Sequence, residues 1–79
     1  MTLIEAISLR VNELLEEHSI TQYRLSLLSG VSQPSIGDIR HMRNKTVNIK
    51  LIYDIAQGFG MDLPEFFDSP LFRDGNITV

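Results

Sequence analysis

Four residues of the 79-residue chain, Gln33, Pro34, Gly37 and Asp38, have a spacing that carries chemistry. Taken as a helix at about 100° per residue, segment 33–41 turns Ile36 and Ile39 to one side. Pro34, Gly37, Asp38 and His41 fall on the other, with Gln33 at its edge. That second side holds no large apolar residue. A glutamine amide can bond an adenine edge twice, an aspartate can accept from a cytosine amino group, and a proline offers apolar contact to a thymine methyl. Gly37 lowers helix stability by roughly 1 kcal/mol relative to alanine, a cost that close approach to a base or backbone would explain. Arg43, Asn44 and Lys45 follow directly, and basic groups there suit phosphates. The expectation is a helix laid in the major groove of double-stranded DNA, which is wide enough to admit one.

Net charge is −3, which taken alone opposes nucleic acid. Its distribution does not. Residues 21–50 hold Arg24, Arg40, Arg43, Lys45 and Lys50 against Asp38 alone. The rest holds Arg10 and Arg73 against nine carboxylates. A local basic patch is the electrostatic footprint that matters for DNA. Arg40 lies at the flank of the apolar side, where a carboxylate partner is expected.

Five short helices must position these residues. Thr2 and Glu5 match a reciprocal capping box, and Ile4, Ile7, Val11, Leu14 and Leu15 recur at helical spacing behind it, which predicts a helix from about Leu3 to Glu17. Thr21 caps a second helix with a Leu25 and Leu28 stripe, ended by Gly30 in a left-handed position. Ser32 caps the third, with Pro34 in its first turn, where a missing N–H costs little. Asn48 caps a fourth bearing Ile52, Ile55, Ala56 and Phe59 on one face and closed by Gly60. Asp62 and Glu65 repeat the capping box for a fifth that holds Phe66 and Phe67. The loop Met42–Val47 has no helical stripe. The fold class is an all-α bundle of five short helices, one domain over residues 1–68 and a tail over 69–79.

Several classes are poor fits. Without cysteine there is no disulfide and no thiol nucleophile. His18 and His41 are far apart and lack thiol partners, so no metal is expected. No glycine-rich phosphate loop is present, Glu16 and Glu17 are adjacent and so face apart, and the chain is short for a sizeable pocket. No enzymatic activity, cofactor or small-molecule substrate is expected. The start MTLIEAISLRV lacks the basic opening and unbroken apolar run of a signal peptide, and no segment approaches the ~18 apolar residues of a membrane span. A soluble, cytoplasmic protein is expected.

The segment TQYRLSLLSGVSQPSIGDIRHMRNKTVNIKLIYDIAQGFGMDLPEFF places a short glycine-containing turn, Ser29-Gly30-Val31-Ser32, between two short helices, with Val31 plugging their angle. It resembles the Cro/repressor-type helix-turn-helix domain of the XRE family over about Ile4 to Phe67. That resemblance implies sequence-specific DNA binding, dimerisation and a bacterial or phage regulator, in the first instance a repressor. It implies that Gln22 contacts a phosphate and braces the third helix. Gln33, Pro34 and Asp38 take base-facing positions, and Arg43, Asn44 and Lys45 run along the DNA backbone. Ser32 and Ser35 are assigned to the backbone with them. Ser26 stands where the family usually has alanine, a small-for-small change.

Two alternatives stay open. The same fold can serve as a protein-interaction module, such as an antitoxin or assembly partner with little DNA affinity, which Pro34, Asp38 and the overall acidity favour. In the tail, Asp74-Gly75 between Leu71-Phe72 and Ile77–Val79 reads either as a hairpin that buries Leu71 and Phe72 against a second copy, or as a frayed terminus.

Overall fold

A side-chain oxygen starts each α-helix of the chain. Thr2, Thr21, Ser32, Asn48 and Asp62 each accept a backbone N–H three residues on. Glu5 and Glu65 return the bond to Thr2 and Asp62, which completes both expected capping boxes. These caps set α1 at Leu3–His18, α2 at Gln22–Ser29, α3 at Gln33–Arg40, α4 at Ile49–Gly58 and α5 at Leu63–Phe67. A single 3-10 turn covers Pro70–Phe72. The computed structural model describes residues 1–78, and among them it holds helices and turns but no strand. Helix α1 runs one residue beyond the expected Glu17.

Helices α1 and α4 close on left-handed residues. At the end of α1, Ser19 has φ 54°, and Ile20 N–H donates to the Leu15 carbonyl at 3.1 Å. At the end of α4, Gly60 has φ 73°, and Met61 N–H reaches the Ala56 carbonyl at 2.9 Å. Both are six-residue closures that satisfy carbonyls otherwise left open at a helix end.

The core gathers Val11 and Leu14 from α1, Leu25 from α2, Ile36 and Ile39 from α3, Ile52 and Ile55 from α4, and Phe66 from α5. Each such side chain contributes about 1.5–3 kcal/mol when buried. Leu28, expected beside Leu25 in the core, is instead 48% exposed. The cause is the approach of α4. A Cβ added to Gly58 would stand 2.8 Å from Ser29 Cβ and 3.0 Å from Leu25 Cδ1. Helix α2 therefore presents Leu25 and Ser29 to α4, one turn apart, and rotates Leu28 outward.

Arg10 has a role that its position in the sequence did not show. It is 7% exposed on α1, yet each of its three guanidinium nitrogens donates a hydrogen bond. Its Nε donates to the Phe66 carbonyl at 2.7 Å, Nη2 to the Glu65 carbonyl at 3.1 Å and Nη1 to Glu13 at 2.6 Å. A cation at the open carbonyls of α5 meets both the helix dipole and the unpaired acceptors.

Among the described residues the tail forms no strand. Leu71 and Phe72 enter the 3-10 turn, and the Phe72 ring packs edge-on against Phe67 at 5.0 Å. Asn76 Nδ2 donates to the Pro70 carbonyl, and Thr78 N–H donates to the Met1 carbonyl at 2.7 Å. Asp74-Gly75 does form a turn, but the residues before it are already docked in a helical turn and cannot serve as a hairpin arm. Val79, the end of the other expected arm, lies outside the described residues. No helix of the described residues is long and apolar enough to cross a membrane.

Candidate nucleic-acid interface

Helices α2 and α3 meet at Gly30, whose φ of 75° suits a residue without a Cβ. Two serines fasten this turn. Ser26 Oγ donates to the Val31 carbonyl at 2.7 Å, and Ser29 Oγ accepts from Val31 N–H at 3.1 Å. Val31 itself is buried, as its place in the angle requires. Ser26 is thus more than a small-for-small replacement. Its hydroxyl satisfies a carbonyl that alanine would leave to water.

In α3, Ser32 Oγ accepts from Ser35 N–H at 3.3 Å and donates to Ser35 Oγ at 2.9 Å. Ile36 and Ile39 face the core, and Gln33 and Pro34 stand exposed on the far side. Asp38 is half-exposed there. Gly37 is a correction: expected on the open face, it is buried. Two side chains of the same chain cover it. A Cβ at Gly37 would lie 3.4 Å from Gln22 Nε2 and 3.8 Å from Arg43 Nη2, ordinary contact distances. Within this chain the close approach at Gly37 is made by Gln22 and Arg43.

Gln22, the first residue of α2, ties α3 from both ends. Its Nε2 donates to the Gln33 carbonyl at 3.1 Å, and its Oε1 accepts from Arg40 Nη1 at 3.0 Å. Arg40 in turn donates from Nε to Asn12 Oδ1 at 2.6 Å, and its carbonyl accepts Ser8 Oγ at 2.8 Å. The carboxylate partner expected for Arg40 is replaced by two neutral amides, because Gln22 and Asn12 are the acceptors that α2 and α1 bring to that flank. Arg40 is therefore spent on holding α1, α2 and α3 together.

The chain leaves α3 through a third left-handed closure. Met42 has φ 55°, Met42 N–H donates to the Ile39 carbonyl at 3.2 Å, and Arg43 N–H reaches back to the Asp38 carbonyl at 2.9 Å. This reversal carries the Arg43 side chain back over α3. Its Nε pairs with Asp38 Oδ1 at 3.3 Å, and Nη1 lies 3.4 Å from the Gly37 carbonyl. Asn44, Lys45 and Arg24 are exposed. Lys50 is engaged by Asp54 at 2.9 Å. Arg24, Arg43, Lys45 and Lys50 form the solvent-facing part of the basic surface, with Arg43 paired to Asp38 and Lys50 to Asp54.

Of the expected site residues, Gln33, Pro34, Asp38, Arg43, Gln22, Ser32 and Ser35 come together on or beside α3, with Asn44 and Lys45 in the loop that follows. An open cleft of about 500 Å³ lies behind the Gln22 brace, larger than the chain length led one to expect. It is lined by Asn12, Leu15, Ile20 and Thr21 and by one carboxylate, Glu16. Among the described residues no group of three or more His, Asp or Glu side chains is placed to hold a metal ion.

Neither the curated proteins nor the solved structures compared with the chain gave a significant match. One family model does match: that of the Cro/C1-type HTH DNA-binding domain, over residues 10–70. The match spans α2, the Gly30 turn and α3, together with most of α1 and all of α4 and α5, the elements that hold them. The chain belongs to the Cro/C1-type helix-turn-helix DNA-binding family.

Proposed function

We propose that this protein is a sequence-specific transcriptional regulator that docks α3 in the major groove of double-stranded DNA and acts as a repressor by occupying promoter DNA. One observation supports this above the others. The Gln33 backbone is fixed by Gln22 while its side chain stands free on the outer face. A reader residue needs that combination: a rigid base and an open amide. Gln33 and Pro34 meet base edges near the start of α3, Ser32, Ser35 and Gln22 meet the phosphates beside it, and Asn44 and Lys45 follow the backbone downstream. A two-fold dimer would set two such helices about 34 Å apart and select a palindromic site. The interaction-module alternative drew on Asp38, Pro34 and the overall acidity, and the Arg43 partner weakens the first of these.

Binding titrations over a salt series test the reading. Gln33→Ala should lower discrimination between sites. Lys45→Ala should weaken every site alike and reduce the salt slope by about one. Equal binding by both variants and the wild type, on all DNA, would reject it.

A further inference from the structure

We infer that Arg43 reads a guanine in the major groove and that Asp38 is the positioning residue that aims it. This rests on the DNA-binding reading above and reassigns Arg43 from a phosphate clamp to a base contact.

Placement is the first support. Gly37 and Asp38 both belong to the side of α3 that turns away from Ile36 and Ile39. The Arg43 guanidinium lies over both, with Nη2 nearest to where a Gly37 Cβ would be. The group thus covers Gly37 and Asp38 on the outward face of the C-terminal half of α3, which it shares with the exposed His41 at the helix end. Gln33 serves the N-terminal half, so the two residues divide the groove face between them. A phosphate clamp would instead belong at the rim, where Lys45 sits.

Fixation is the second. The left-handed Met42 and the bond from Arg43 N–H to the Asp38 carbonyl set the root of the side chain. Asp38 Oδ1 then engages Nε, the inner nitrogen, at 3.3 Å. The terminal Nη1–Nη2 edge lies against Gly37, and its remaining N–H groups have no partner among the described residues. That edge has the two parallel donors that match guanine N7 and O6, the commonest specific contact of an arginine with a base pair. The Nη1 bond to the Gly37 carbonyl is long, at 3.4 Å, and yields readily. The side chains remain 54% and 39% exposed, so partners can reach them. Electrostatics supply the third support. A bare carboxylate in a groove lined by phosphates costs binding energy, whereas a carboxylate already paired to an arginine does not.

Selection from random duplex DNA, run with the wild type, Arg43→Lys and Asp38→Asn, tests this. The wild type should enrich a guanine at one position per recognition helix. Arg43→Lys keeps the charge but loses the fork, so preference at that position should fall by roughly tenfold or more while the other positions stay unchanged. Asp38→Asn should relax the same position even though it removes a negative charge and strengthens non-specific binding. The double variant should lose no more there than Arg43→Lys alone. If both variants keep the wild-type preferences and only shift affinity across all sequences, Arg43 is a backbone contact and the inference falls. If the wild type enriches no sequence, the DNA-reading proposal falls with it. Thermal melts of each variant exclude unfolding as the cause.

Discussion

The Gln22 side chain acts as donor toward one end of α3 and acceptor toward the other, with Nε2 on the Gln33 carbonyl and Oε1 on Arg40 Nη1. A carboxamide does both at once through its two ends, which neither a carboxylate nor a thioether can. Gln22→Glu should keep the Arg40 partner but set one carbonyl-like oxygen against another at Gln33. The expected result is a loss of about 1 kcal/mol in urea unfolding and weaker DNA binding than the added charge alone explains. Gln22→Met, which is close in volume, should lose both bonds and rank below it in stability. An unchanged melt for both variants would show that the brace contributes nothing.

Two helix glycines should respond with opposite signs. At Gly58 an alanine Cβ would meet Ser29 Cβ at 2.8 Å, and the backbone behind it cannot swing aside. Gly58→Ala should destabilise by about 1–3 kcal/mol, because α2 and α4 must part. At Gly37 the nearest atom is the end of a glutamine side chain, at 3.4 Å. Gly37→Ala should gain up to about 1 kcal/mol from helix propensity. Paired denaturant melts check both.

Arg10 should be the costliest surface-looking residue to remove. Arg10→Met strands the Phe66 carbonyl, leaves the Glu65 carbonyl with the Asp68 N–H alone, and leaves Glu13 without its partner. A loss of about 3 kcal/mol is expected. Arg73→Met serves as the control, since its pair with Asp68 is solvent-exposed and should change stability by less than about 0.5 kcal/mol. Equal effects would contradict the assignment.

The Glu5 carboxyl is held below its usual value, first by the Thr2 backbone N–H and then by the Thr2 hydroxyl. A carboxylate with a lowered folded pKa stabilises the protein above its unfolded pKa of about 4.3 and loses that contribution as pH falls through the folded value. Glu5→Gln should therefore flatten the fall in melting temperature between about pH 5 and pH 3, and should differ least from the wild type at the acid end.

Local chemistry made much of this molecule legible. Thr2, Thr21, Ser32, Asn48 and Asp62 each announce a helix start, because a cap needs only a side chain and an N–H three residues away. Ile36 and Ile39 likewise fix which side of α3 is buried. What a helical wheel cannot see is a neighbour. Leu28 is turned out by Gly58, Gly37 is roofed by Gln22 and Arg43, and Arg40 finds two amides, each through contact between elements far apart in the chain. Arg10 and the docked tail were hidden for the same reason: their partners lie at the opposite end of the sequence. The family match covers the turn and its flanking helices, whose pattern short-range spacing preserves.

Met42 shows what the left-handed closure after α3 implies. A branched or long side chain in that backbone region costs about 1–2 kcal/mol, and glycine would relieve it. Met42→Gly should melt higher, yet it would also loosen the pivot that swings Arg43 back toward Asp38. The methionine acts as a stiff wrist: some robustness is surrendered so that the hand beyond it points one way. A glycine-42 protein that is hardier but less choosy among DNA sites would bear the mark of that trade.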